Sequence, residues 1–290
     1  KPVIGTAALL LAEEGRIGLD EPVGTYLAAF RASRARPSRD ITVRQLITHR
    51  SGFVQGGEPA GYAEQGSLAE AVALAAARGP TYEPGTRFIY SNLNSDALGA
   101  VVESVAGVPA AAFIEERILE PLQLSDTHTS FRPSVEWAGR VPSSYRSWGG
   151  TSWERWWNPA RPHEAGWFSP AGDLFGSAYD YARFLQAWMD RGSLAGDHQW
   201  LAAETVEEAL VDPVAADSLP APSRWYAMHW EIYAPPTSPI GLPVFGHRGA
   251  TGTLGMAIPA QNAIVIYLTN SNENEVVDEV IDAALEMFGS

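Results

Sequence analysis

Three short groups along the chain carry side chains suited to moving protons and holding a carbonyl: Lys1, the triplet Tyr90-Ser91-Asn92 and the triplet His247-Arg248-Gly249. A lysine amine activates a hydroxyl that lies within hydrogen-bond reach, and a spacing of three on a helix puts two side chains on one face. A phenol with an ordinary pKa near 10 is a poor base at neutral pH. A nearby cation such as Lys1 is expected to favour its phenolate and make Tyr90 a proton acceptor. Asn92 offers both a donor and an acceptor, suited to holding an amide or ester carbonyl. Gly249 lets a substrate approach a strand edge closely. Each group has an ordinary reading as well: a solvated terminal lysine, a core tyrosine beside a turn asparagine, and a structural histidine next to a strand. Their order and surroundings decide between the two.

The positioning elements are legible from patterning. Residues 1–14 read as a helix apolar nearly all round, with Ala7, Ala8, Leu9, Leu10 and Leu11, ended by Gly15. Such a helix belongs at the centre of the molecule. Thr42 is placed to cap a short helix through Val43, Leu46 and Ile47, and Ser67-Leu68-Ala69-Glu70 reads as a capping box opening a helix that stops at Gly79. Further helices are expected over about 95–105 and, from Pro109 in its first turn, to about 119. Ser177 and Asp180 open an amphipathic helix through Phe184, Leu185 and Trp188. Residues 225–233, 242–245, 253–258 and 263–269 are β-rich runs separated by turns, expected to form an antiparallel meander covered on one face by a helix over about 275–288. Between them, residues 130–170 lack periodicity and carry Trp137, Trp148, Trp153, Trp156, Trp157 and Trp167. Aromatic-poor composition marks disorder, so this segment is expected to be a packed flap, with at least one of Trp148, Trp153, Trp156, Trp157 and Trp167 a candidate for lining the substrate site.

Composition narrows the partners. A formal net charge of −14 repels phosphate backbones and anionic lipid, so a small molecule or short peptide is the expected substrate, not nucleic acid. The longest apolar run, Ala7 to Ala12, is well short of the ~20 residues of a membrane span. With no cysteine there is no disulfide and no thiolate zinc site. The histidines at 49, 128, 163, 198 and 229 show no metal-ligand spacing, so no metal and no cofactor is expected.

The helix after Lys1 runs into Glu13-Glu14-Gly15 and Leu19-Asp20-Glu21-Pro22-Val23, followed by Leu46-Ile47-Thr48-His49-Arg50-Ser51-Gly52. Then come Pro84-Gly85-Thr86, Tyr90-Ser91-Asn92, Glu120-Pro121-Leu122, Pro170-Ala171-Gly172-Asp173-Leu174, Asp180-Tyr181-Ala182-Arg183-Phe184 and Gly246-His247-Arg248-Gly249-Ala250-Thr251-Gly252. In this order they resemble the β-lactamase-related serine hydrolases, which include class C β-lactamases, penicillin-binding proteins, esterases and D-aminopeptidases. The resemblance covers nearly the whole chain. It implies an α+β fold in one domain over 1–290, with a helical lobe over about 25–220. An antiparallel sheet and its covering helices would occupy about 1–20 and 221–290, with the active site between the two.

By the same resemblance, Lys1 completes a Ser-x-x-Lys motif whose serine is the nucleophile, so the natural polypeptide is expected to extend upstream. Tyr90 and Lys1 are then the catalytic pair. Asn92, His247, Gly249 and Ala250 bind substrate, the Ala250 backbone N–H forming part of the oxyanion hole. The implied reaction is acyl transfer to water through an acyl-serine, in the periplasm or outside the cell. His-x-Gly stands where penicillin-recognising relatives carry a lysine facing the substrate carboxylate, which favours an ester or peptide substrate. A β-lactamase or penicillin-binding protein is the alternative, and a catalytically inactive binding domain of the same fold a further one. Strand alternation is expected to turn Arg248 away from the face of His247 and Gly249.

Overall fold

The computed structural model describes residues 1–35, 37–147, 152–160, 166–196, 198–211, 225–237, 241–272 and 274–288. Helix α1 (Pro2–Glu13) buries residues 2 to 11 without a break, as its all-round apolar sequence requires. Gly15 follows in the left-handed region at φ +68°, turning the chain back. The short helices α2 (Ala28–Arg31), α3 (Pro37–Asp40) and α4 (Val43–Ile47) come next. α4 carries a complete capping box: Thr42 accepts from the Gln45 N–H, and the Gln45 side chain accepts from the Thr42 N–H. At α5 (Leu68–Arg78) the expected box is only half formed. Ser67 accepts from Glu70, but the Glu70 carboxylate reaches the Gly66 N–H instead of that of Ser67.

Helix α6 (Asn92–Ala106) packs along α1 and starts three residues earlier than its apolar pattern alone indicates. That difference places Asn92 in its first turn. α7 (Ala110–Ile114) continues as a single π turn over Glu115–Leu119, and Pro109 is its N-cap residue, outside the first helical turn.

The tryptophan-rich stretch contains an antiparallel hairpin of β1 (Ser144–Arg146) and β2 (Glu154–Trp157) that its aperiodic sequence does not announce. Trp137 stacks on His128 with ring centroids 4.0 Å apart, and Phe131, Trp157 and Phe175 complete that cluster. Trp167 packs edge-on against Tyr62. Trp153 and Trp156 are exposed. Trp148 and His163 lie outside the described residues.

α8 (Ala178–Met189) is capped by Ser177, and the buried Asp180 carboxylate accepts from the backbone of Asp126 and the hydroxyl of Thr127. The two-residue strands β3 (Ser193–Leu194) and β4 (His198–Gln199) lead to α9 (Ala203–Val211).

The sheet is the expected meander in the order β5 (Trp225–Tyr226), β6 (Glu231–Ala234), β7 (Val244–Arg248), β8 (Leu254–Ile258) and β9 (Ala263–Tyr267), antiparallel throughout. Side chains alternate between its faces. Val244, Leu254, Met256 and Ile258 meet Val277, Ile281 and Ala284 of α10 (Asn274–Phe288). Phe245, Ala257, Ile264 and Ile266 join the helical core around Phe184, Leu185 and Trp188 on the opposite face. The fold is thus α+β, with the meander covered by α10 on one side and by the helices on the other.

Candidate active site

Lys1 is the N-cap residue of α1, and its Nζ donates to Asn92 Oδ1 at 2.9 Å and to the Ala171 carbonyl at 2.8 Å. It also rests 4.9 Å from the centroid of the Tyr90 ring. The Tyr90 ring lies 6.2 Å from that of His247. The start of α1, the entry to α6 and β7 are therefore brought together through Lys1 and Tyr90, with Asn92 on one side and His247 on the other. Gly249 and Ala250 follow β7 in a tight turn, closed by the Gly249 N–H to the Thr253 carbonyl and the Gly252 N–H to the Gly249 carbonyl. Ala250 is exposed there.

Burial pushes the Lys1 amine down to about 8, opposed by the charges of Asp96 and then Glu231. The phenolate expectation for Tyr90 runs against its surroundings. Burial pushes the hydroxyl well above its usual value, the Glu231 carboxylate pushes it further, and Arg248 only partly offsets them. The Lys1 ammonium faces the flat of the ring, so it acts as a cation over a π face. Of the two, the amine is the group nearer to losing its proton at neutral pH.

Several residues of the site were not among those singled out in the sequence. Asp96, one helical turn beyond Asn92 on α6, is buried and accepts from Tyr62 (3.0 Å), Ser169 (2.7 Å) and the Ala171 N–H (3.3 Å). The backbone of one residue, Ala171, thus bridges the Asp96 carboxylate to the Lys1 ammonium through its N–H and its carbonyl. Burial lifts this carboxyl to about 6, against those hydrogen bonds and the Lys1 charge. Ala171 sits in the Pro170-Ala171-Gly172 segment of the family resemblance, which marked the loop but not its carbonyl.

His49, fully buried, stacks on Tyr90 at 4.6 Å and on His229 at 5.0 Å. His247 has both ring nitrogens engaged within the protein: Nε2 lies 3.2 Å from the Tyr226 hydroxyl and Nδ1 2.6 Å from the Arg248 carbonyl. Burial holds its imidazole well below the usual histidine range, hence neutral. Arg248 points the other way, as alternation requires. Its guanidinium pairs with Glu231 at 2.9 Å and Asp278 of α10 at 3.4 Å.

Comparison with known proteins bears on the fold and the family. A relative from Escherichia coli O157:H7, named as a candidate D-alanyl-D-alanine carboxypeptidase, is 25% identical over 92% of this chain, which spans 66% of the relative's length. The octameric penicillin-binding protein homologue of Pyrococcus abyssi superposes with a TM-score of 0.75 at 24% identity, covering 100% of this chain and 64% of its own. The hydrolase EstCE1 superposes at 0.79 with 21% identity, covering 98% and 82%. At such identities the solved structures speak for the fold. The β-lactamase family model matches residues 1–286, so a single family description takes in α1, the Tyr90–Asn92 corner and the strand of His247 alike, and the chain belongs to the β-lactamase family.

Proposed function

We propose that the protein is a serine hydrolase that transfers the acyl group of a small ester, amide or peptide to water, closer to an esterase or D-peptidase than to a β-lactamase. The nucleophile in this reading is a serine three residues upstream of Lys1. The observation that carries it is the seat of Lys1 Nζ between Asn92 Oδ1 and the Ala171 carbonyl, above the Tyr90 ring. Both fixed contacts are acceptors, so a neutral amine held there keeps its lone pair for a third partner.

In this reading neutral Lys1 takes the serine proton as the oxygen attacks the substrate carbonyl. The oxyanion is held by backbone N–H groups, that of Ala250 among them. Tyr90, kept protonated by burial, gives its proton to the leaving group and regains one from the Lys1 ammonium. Water then repeats the cycle on the acyl-serine. Among the described residues, Lys1 is the cation that this cleft holds: His247 is neutral and Arg248 is turned to α10, which supports uncharged acyl groups over carboxylate-bearing lactams.

The test is to treat the full-length protein with a fluorophosphonate and map the adduct by mass spectrometry. Labelling of the serine three positions before Lys1 is expected. An adduct elsewhere, or none, sinks the reading.

A further inference from the structure

We infer that Tyr226 is a positioning residue of this site: its hydroxyl, shared between His49 and His247, meets the bare Nε2 of His247 and ties β7 to the corner that carries Tyr90. Its kinetic consequence rests on the hydrolase reading above. Its protonation pattern does not.

Every proton in this chain of groups is determined by two backbone atoms at opposite ends. At one end, His49 Nδ1 lies 3.2 Å from the Ser91 N–H, which can only donate, so Nδ1 is bare. The Asn94 amide nitrogen, 2.8 Å away, donates to the same lone pair, while its Oδ1 accepts from Ser51. A neutral His49 therefore carries its hydrogen on Nε2 and donates it to the Tyr226 oxygen at 3.1 Å. At the other end the Arg248 carbonyl can only accept, so His247 Nδ1 carries the hydrogen and Nε2 is bare. The Tyr226 hydroxyl donates to that Nε2 at 3.2 Å. Reasoning from either end gives the same direction of donation, with no donor opposed to a donor. Burial favours the neutral rings this requires: His49 and Tyr226 are fully enclosed, and both histidines are held well below their usual range.

The chain reaches both halves of the cleft. His49 lies under the Tyr90 ring, and Ser91 and Asn94 flank the start of α6, which carries Asn92. His247 lies on β7, next to Gly249 and Ala250. β5, which holds Tyr226, is not a direct neighbour of β7, because β6 runs between them. The side-chain bond therefore adds a link that the sheet ladder does not supply. Loss of the hydroxyl leaves two buried ring nitrogens without their common partner and breaks the link between the Tyr90 corner and β7, so the Tyr90-to-β7 spacing is no longer set.

The experiment uses full-length protein with isotope-labelled histidine, the His247 signals being assigned through His247→Gln. Long-range nitrogen–proton spectra are expected to show Nδ1 protonated in His247 and Nε2 protonated in His49. In Tyr226→Phe the Arg248 carbonyl is expected to keep the His247 hydrogen on Nδ1, while the Nε2 resonance shifts to that of a nitrogen without a hydrogen-bond donor. The kcat for a neutral p-nitrophenyl ester should fall about tenfold, the order of one net hydrogen bond, with KM changed less than about twofold. His49→Gln, which keeps an N–H directed at Tyr226, is expected to leave the His247 Nε2 resonance at its parental position. An Nε2-protonated His247 in the parent, or Tyr226→Phe with the Nε2 resonance and kcat unchanged, overturns the proposal. If Tyr226→Phe does not fold, the parent tautomers decide alone. A parent that turns over no ester refutes the hydrolase reading but not the positioning role, which the tautomers then settle.

Discussion

The Nζ of Lys1 lies 2.9 Å from Oδ1 of Asn92, which makes neighbours of two residues that are 91 positions apart and stand at the starts of α1 and α6. The two helices pack along each other, so the contact is set by core packing and not by a flexible loop. It follows that truncating Lys1 removes the amine without moving its neighbours. Fluorophosphonate labelling is expected to fall 10²- to 10⁴-fold in Lys1→Ala, the usual loss for a positioned base. A comparable loss is expected in Tyr90→Phe for turnover of an ester with a poor leaving group, where the departing atom needs a proton. Labelling of Lys1→Ala at the parental rate would exclude the amine as acceptor.

Asp96 gives that assignment a pH signature. With the amine pushed down to about 8, labelling is expected to rise with pH and level off above about 8. Asp96 is the strongest charge opposing the fall, so Asp96→Asn removes what helps to keep the ammonium protonated. The Lys1 pKa then drops further and the rising limb moves to lower pH. The side-chain volume and the acceptor for Ser169 and Ala171 are retained. A pH profile of labelling in the two proteins checks this, and a limb that stays put or moves upward contradicts it.

The same pair shows what was readable from the sequence and what was not. Lys1, Tyr90, Asn92 and His247 stand in motifs with a fixed local order, so residue type and neighbours sufficed to pick them out. The meander and α10 were legible because one face of each is buried and period-two or helical patterning records it. Asp96 left no such mark. On α6 it occupies a position in a buried stretch from Leu93 to Val102, where a carboxylate looks out of place until Tyr62 and Ser169 arrive from distant segments. Tyr226 and His49 were hidden for the same reason, since aromatic and histidine side chains in apolar runs look like packing until their partners are known. The β1–β2 hairpin was illegible because Trp153 and Trp156 are exposed where alternation would place polar residues. α9 did carry a signal, Val206, Ala209 and Leu210 at helical spacing, but in a region dominated by strand-like runs.

Gly255 marks where α8 meets the sheet. It pairs with His247 across β7 and β8, and a side chain there would run into the ring of Tyr181 and crowd Leu185. Gly255→Ala is expected to cost about 1–3 kcal/mol by overpacking, seen as a lower urea midpoint. The cost should shrink in a Tyr181→Ala background, because the two residues share one space. Equal costs in both backgrounds would place the strain elsewhere.

Substrate preference turns on Arg248. Its guanidinium lies on the α10 face of β7, bound to Glu231 and Asp278, and Glu231 also accepts from the Tyr233 hydroxyl. Removing it leaves a nearly buried carboxylate without its cation. Because Arg248 itself is 30% exposed, the cost is expected near the low end for a broken pair, about 1–3 kcal/mol. Stability should therefore fall in Arg248→Ala while the choice between substrates stays the same. In the parent, kcat/KM for a neutral p-nitrophenyl ester is expected to exceed that for a chromogenic cephalosporin, since a neutral His247 offers no charge to a carboxylate. His247→Lys supplies a cation on the cleft face of β7, but it also strips Tyr226 of its acceptor. The ester rate should then fall while the ratio moves toward the cephalosporin. Had Arg248 been the carboxylate receptor, its removal would lower cephalosporin turnover alone, by about ten- to a hundredfold for one lost charge-assisted bond. That selective loss, or a parent faster on the cephalosporin than on the ester, refutes the assignment of this cleft to uncharged acyl groups.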